Sequence, residues 1–219
     1  MTSRQFDLLI FDWDGTLMDS TAAIAESIRC ACTDLGLRVP STDQARHIIG
    51  LGLAEALHTL LPELLPQDYP RLVARYRHHF LGQDHRLPLF DGVTETIKAL
   101  HAAGFWMTVA TGKSRKGLER AFDQSGLRGY FHASRCADEG FSKPHPGMVQ
   151  TLMNDCGVSA ERTLMIGDTS HDLQMALNAG VASVGVTYGA HGAETLTPCQ
   201  PLYLAHDFKD LAAWLNSHA

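Results

Sequence analysis

Residues 6–20 read Phe-Asp-Leu-Leu-Ile-Phe-Asp-Trp-Asp-Gly-Thr-Leu-Met-Asp-Ser. From Phe6 to Phe11 the run is apolar apart from Asp7, and it stops at Asp12-Trp13-Asp14-Gly15-Thr16. A short apolar run that ends at a turn signal predicts a buried strand delivering a loop. In an open parallel sheet that loop lies at the carboxyl edge of the strands, where ligands bind. Asp12 and Asp14 put two carboxylates at this edge. Both are costly to desolvate, and a cation, a proton or water must offset them.

Beyond this strand the pattern turns helical. Residues 20–36 predict a helix that Ser20 or Asp19 can cap, with Ile24, Ile28 and Leu35 near helical spacing and Gly36 at its end. Pro40-Ser41-Thr42 opens a new segment, with short helices expected over 42–49 and 52–61 on either side of Gly50-Leu51-Gly52. Pro62 and Pro66 break the next stretch. Residues 68–82 form a polar helix whose Arg71, Arg75, Arg77, His78 and His79 predict a solvated face. No strand signal falls between about 20 and 87.

Strands and helices then alternate. Leu89-Phe90-Asp91-Gly92 is a turn, 93–103 a helix, 105–110 a strand and 115–125 a helix. Residues 130–134 suggest a short strand. Pro144 to Cys156 is a helix and 163–166 a strand. A helix stops at Gly180, 182–186 is a strand, and 208–216 is a terminal helix. This alternation implies an α/β fold, a Rossmann-like parallel sheet with helices on both faces. The expected core is 1–18 with 88–219. Residues 19–87 are an inserted all-helical cap on the edge that carries Asp12, able to cover it like a lid.

The whole chain of 219 residues has net charge −6 and a hydrophobic fraction of 45%, ordinary for a globular core. No basic stripe signals nucleic acid, and no apolar run approaches the roughly 20 residues that cross a bilayer. Met1-Thr2-Ser3-Arg4-Gln5 leads straight to the first strand without a signal-peptide core, so a soluble, cytoplasmic protein is expected. The sequence carries no sign of oligomeric state. Cys30, Cys32, Cys136, Cys156 and Cys199 are odd in number and lack paired spacing, which argues for reduced thiols.

Four loops now share one edge: Asp12-Trp13-Asp14, Thr111-Gly112-Lys113, Ser142-Lys143-Pro144 and Gly167-Asp168-Thr169-Ser170-His171-Asp172. Asp12, Asp14, Asp168 and Asp172 offer only hard oxygen ligands, which select Mg²⁺. Thr111 and Gly112 stand where a helix begins, a natural phosphate site. Lys143 adds a point charge, and Pro144 can keep it extended and occupy the first turn of the next helix. A phosphoryl group would balance these cations. A carboxylate can attack it, since carboxylates form aspartyl-phosphates.

These four motifs, in this order, resemble those of the haloacid dehalogenase superfamily. The helical insertion after the first motif is similar to the cap of its phosphoglycolate-phosphatase-like branch. The resemblance covers essentially the whole chain. It implies a Mg²⁺-dependent phosphatase acting on a small phosphorylated metabolite, phosphoglycolate-like or a sugar phosphate. By that resemblance Asp12 is the nucleophile, and Asp14 is the acid and base, with a backbone carbonyl on the metal. Thr111 and Lys143 hold the phosphate, Asp168 ligates Mg²⁺, and Asp172 acts through water or from behind the ligands. Gly50-Leu51-Gly52 falls where that branch has a substrate-facing cap loop. A dehalogenase needs neither metal nor an acid at Asp14. A phosphonate hydrolase would use a cap lysine, and residues 20–87 contain none. A mutase of the β-phosphoglucomutase type shares the motifs and is the main alternative; a non-catalytic phosphate-binding protein ranks below it. Lys113 and Arg115 are expected at the solvated surface, with phosphate or substrate contact as the alternative, and His171 in a structural role.

Overall fold

The computed structural model describes residues 5–219. The expected lead-in over Met1–Arg4 lies outside them. β1 (Leu8–Phe11) comes first. The chain then runs through α1 (Thr21–Asp34), α2 (Thr42–His47), α3 (Leu53–Leu60) and α4 (Tyr69–Leu81). It continues as α5 (Val93–Ala102), β2 (Trp106–Thr111), α6 (Arg115–Ser125), β3 (Ala133–Cys136), α7 (Gly147–Cys156) and β4 (Thr163–Gly167). The last part is α8 (Ser170–Ala179), β5 (Ala182–Val186), α9 (Ala193–Leu196), β6 (Tyr203–Ala205) and α10 (Phe208–His218).

The strands form one sheet in the order β3-β2-β1-β4-β5-β6, and every pairing is parallel. β1 is therefore central, and the strand order reverses direction around it. That reversal opens a crevice at the carboxyl ends of the strands. Side chains alternate across the sheet. Leu9 and Phe11 join one apolar layer with Ile97, Leu118, Phe122 and Leu211 from α5, α6 and α10. Leu8 and Ile10 join the opposite layer with Val149, Leu152, Met175 and Ala176 from α7 and α8. The fold is the expected α/β sheet with helices on both faces.

Helices α1 to α4 build a core of their own from Ile28, Leu57, Leu60, Leu72 and Phe80. The chain leaves the sheet and returns to it side by side. Asp19 N–H donates to the Pro88 carbonyl and Phe90 N–H to the Leu17 carbonyl, both at 3.0 Å. Ser41 starts α2 with a reciprocal capping box to Gln44. Arg75 and His79 are not wholly a solvated face, since both pair with Asp34 on α1 and pin α4 to it. Among the described residues no helix is long and apolar enough to cross a membrane.

Two local expectations need correction. Helix α7 starts at Gly147 with Pro146 at its cap, so Pro144 lies before the helix, not in its first turn. β3 begins at Ala133, three residues later than 130, because Arg128–Tyr130 is a helical turn. β6 and α9 are too short to show a period in sequence.

Leu57 is fully buried among α1–α4. Leu57→Ala is expected to cost about 2–5 kcal/mol, the range for a buried leucine truncation. Denaturant unfolding followed by circular dichroism measures this loss.

Candidate active site

Asp12, Gly112 and Asp168 each sit one step past the end of a parallel strand, Thr111 is the last residue of β2, and Lys143 and Asp172 come from the segments that follow β3 and β4. Asp12 extends β1, its N–H still bonded to the Ile166 carbonyl at 2.9 Å. Its carboxylate is 1% exposed. Oδ1 accepts from Lys143 Nζ at 2.7 Å, whereas Oδ2 is buried without a partner. Lys143 is itself fully buried, and Asp172 Oδ1 lies 2.6 Å from the same Nζ. Asp172 is the third residue of α8 and closes a capping box. Its Oδ2 accepts from Thr169 N at 3.1 Å and from Thr169 Oγ1 at 2.6 Å. Asp168 accepts from Thr16 Oγ1 at 3.1 Å through Oδ1 and from Ala190 N at 2.7 Å through Oδ2. A Cβ at Gly189 would stand 2.3 Å from Asp168 Oδ2, so only glycine lets that backbone approach.

Oxygens of Asp12, Asp168 and Asp172 lie within 4.8 Å of one another. Three carboxylates surround one ammonium. Burial pushes Asp12 up to about 7, opposed by Lys143 and assisted by Asp172. Burial and the charges of Asp12 and Asp172 hold Asp168 well above the ordinary carboxylate range. Burial works against the Lys143 ammonium, but Asp12 and Asp172 outweigh it and hold the lysine above its usual range. The excess negative charge and the hard oxygens of Asp12, Asp168 and Asp172 fit a divalent cation.

The Asp14 side chain is not part of this cluster. It turns to Ser20, whose Oγ donates to Oδ1 at 2.6 Å, and to Lys113, whose Nζ lies 2.9 Å from the same oxygen. Lys113 is therefore not a solvated lysine. Its side chain is 7% exposed, and its ammonium stands 5.1 Å from the centre of the Phe80 ring on α4. Its place directly after Thr111-Gly112 put it near the site, but nothing in the sequence pointed to Asp14 as its partner. Ser20 had no signal beyond helix capping. Arg115 is committed elsewhere. It pairs with Glu139 at 2.7 Å and donates to Ser134 Oγ at 2.7 Å, and the Glu139 bonds hold the guanidinium above its ordinary range.

Thr111 ends β2, is buried, and accepts from Lys113 N–H at 3.2 Å. Gly112 meets the loop between α2 and α3, for a Cβ there would lie 2.6 Å from both the Gly50 and Leu51 carbonyl oxygens. Gly52 N–H donates to Ser142 Oγ at 2.9 Å, and Gly50 lies against Thr169. The 50–52 loop is thus seated on three of the four junctions. His171 reaches the His47 carbonyl through Nε2 at 3.0 Å. His191 reaches the same carbonyl through Nε2 at 3.1 Å. It stands in an irregular loop that offers no periodic signal.

The profile of the haloacid dehalogenase-like hydrolases matches residues 9–186. The chain belongs to that family. It is a phosphatase of the phosphoglycolate-phosphatase-like branch. It is 34% identical over 211 residues to a protein of Dickeya dadantii named Probable phosphatase IndB, covering 93% of this chain and 91% of that protein. It is 35% identical over 199 residues to the phosphoglycolate phosphatase of Agrobacterium fabrum, covering 86% and 84%. A hydrolase from Pseudomonas syringae has the same fold, with a TM-score of 0.89 over 96% of this chain and 98% of that one at 21% identity.

Lys143→Met would leave Asp12 and Asp172 buried without their ammonium. The expected loss is about 3–5 kcal/mol near pH 8 with chelator present. Burial already raises the Asp12 carboxyl, and losing the lysine that opposes this raises it further above its unfolded value. The penalty therefore shrinks as pH falls and Asp12 takes up its proton. Denaturant melts between about pH 5 and 8 measure that trend.

Proposed function

We propose that this hydrolase cleaves a small phosphomonoester through an aspartyl-phosphate on Asp12, with Mg²⁺ as cofactor. The observation that carries the reading is the Asp12 carboxylate. One oxygen is fixed by Lys143 and the other is buried and unpartnered. A nucleophile held this way has one free lone-pair oxygen and little freedom to turn.

In this reading Asp12 Oδ2 attacks phosphorus while the ester oxygen departs. Asp14 gives that oxygen a proton, and later takes one from the water that cleaves the acyl-phosphate. Ser20 and Lys113 fix its carboxylate for both steps. The Thr111 hydroxyl and the Gly112 N–H orient the phosphoryl oxygens, with Lys143 supplying positive charge beside them. Asp12, Asp168 and the Asp14 carbonyl would hold Mg²⁺, with Asp172 acting from behind through Lys143. The bound cation neutralises charge on the transferring group. Residues 19–87 act as the cap, and Gly50 and Gly52 flank the backbone that closes over the phosphate. The relative from Agrobacterium fabrum supports phosphoglycolate as the first substrate to test, with sugar phosphates next.

Asp12→Asn is expected to lower phosphate release from an aryl phosphate by at least about 10³-fold while the fold survives. Near-normal release would sink the mechanism. Wild-type protein given sugar phosphates should liberate phosphate; isomerised sugar without free phosphate would favour a mutase. No release from phosphoglycolate, sugar phosphates, nucleotides or pyrophosphate would favour a phosphate-binding protein.

A second expectation concerns protons. Asp12 sits near 7 in the absence of metal because burial disfavours its charge. A cation must displace that proton below this pH. Mg²⁺ affinity should therefore rise with pH through the range in which Asp12 and Asp168, both raised by burial, lose their protons. Calorimetric titrations in buffers of different ionisation enthalpy should record proton release that fades above this range.

A further inference from the structure

The loop after β5 has two faces. Towards the sheet it holds Asp168: Ala190 N–H donates to Oδ2 at 2.7 Å and His191 N–H to the Asp168 carbonyl at 3.2 Å. Gly189 lets the backbone close on the same carboxylate. Towards the helical block it holds the end of α2. The Gly189 carbonyl accepts from Arg46 Nη2 at 2.5 Å, and His191 Nε2 meets the His47 carbonyl at 3.1 Å. Consecutive residues thus touch α2 on one side and Asp168 on the other.

The hydrogen-bond pattern fixes the roles. His191 Nδ1 accepts from Ser170 N–H at 3.0 Å, so its proton lies on Nε2 and the ring donates to His47. His171 Nε2 meets the same carbonyl from α8. This carbonyl belongs to the last turn of α2, where helix acceptors lack partners within the helix. The core therefore supplies the cap for that helix end. The His47 and His191 rings stack at 4.9 Å, which adds a contact across the same boundary.

We propose that α2 and the Gly189–His191 loop form a latch: docking of the helical block sets the position of Asp168, so that cap closure and divalent-cation binding favour each other. Arg46 and His191 are positioning residues in this scheme, acting on the cation site through the loop. The proposal rests on the reading of Asp168 as a cation ligand. Coupling between two sites is reciprocal, so the cation must also tighten α2 against the core. A cleft of about 430 Å³ lined by Thr42, Arg46, His47, Gly189 and Glu194 flanks the contact. Arg46 is only half-buried, so shortening it opens no core.

The test uses the full chain, Mn²⁺ as the probe, and the variants Arg46→Met and Arg46→Lys. Electron paramagnetic resonance titration should show Mn²⁺ bound about 3–10-fold more weakly by Arg46→Met, with partial recovery in Arg46→Lys, which keeps a donor. Hydrogen exchange over residues 42–49 should slow when wild type takes up Mg²⁺. That slowing should be lost in Arg46→Met. A purely structural Arg46 would change exchange equally with and without metal. Equal Mn²⁺ affinity in wild type and Arg46→Met, or no metal effect on exchange in α2, overturns the latch and leaves the phosphatase reading intact. Failure of the wild type to bind Mn²⁺ overturns the cation reading and the latch with it.

Discussion

The molecule depends on keeping three carboxylates and one ammonium out of water together. Asp12 comes from one junction, Asp168 and Asp172 from another, and Lys143 from a third. Desolvating any one alone would cost several kcal/mol. Held as a set they remain short of positive charge, which is why burial lifts Asp12 and Asp168 rather than leaving them as ordinary acids. A parallel sheet solves the assembly problem. It ends several strands at one edge, so β1 and β4 deliver Asp12 and Asp168 there by register, while the segment after β3 brings in Lys143.

The same edge is built for close backbone approach. Gly189 presses on Asp168, and Gly112 receives the carbonyls of Gly50 and Leu51. A side chain at either place would collide with a carboxylate or with main chain. The helical block can therefore settle directly on the strand ends. There it contributes main-chain groups and the Phe80 ring rather than charges. A cover of this kind excludes water from the carboxylates without adding a competing ion, and low dielectric strengthens every charge interaction beneath it.

How much of this could be read in advance varied with the physics of each feature. β1 and the Asp12-Trp13-Asp14 turn were legible because an apolar run that stops at Asp and Gly has few other solutions. The helices of residues 21–81 were legible through period and breakers. β6 has three residues, too few for a period, and α7 starts later than Pro144 suggests because the Ser142–Pro146 segment carries Lys143 inward first. Lys113 was misjudged for a different reason. A lysine next to a helix start is ordinarily wet, and only the fold brings Asp14 and Phe80 to it from opposite directions. Arg115 shows the converse, a cation beside a phosphate motif that is fully engaged by Glu139 and Ser134. Sequence distance from a motif therefore did not sort the two cations; their three-dimensional partners did.

That sorting also separates the two aspartates of the first loop. Asp12 and Asp14 differ by two positions, so their side chains leave an extended backbone on the same side. The turn at Gly15 breaks this equivalence. Asp12 stays with Lys143 and the buried acids, whereas Asp14 faces Ser20 and Lys113 beneath α4. Asp12 keeps one oxygen bare, and Asp14 has one oxygen shared between a hydroxyl and an ammonium. A group with an unpartnered oxygen in a dry site is suited to form a bond. A group held by a hydroxyl and an ammonium is suited to exchange protons. The division of labour proposed for these two identical side chains rests on what each is pressed against. Ser20 at the start of α1 and Lys113 against the Phe80 ring both hold Asp14, so a movement of the helical block reaches Asp14 through these two contacts.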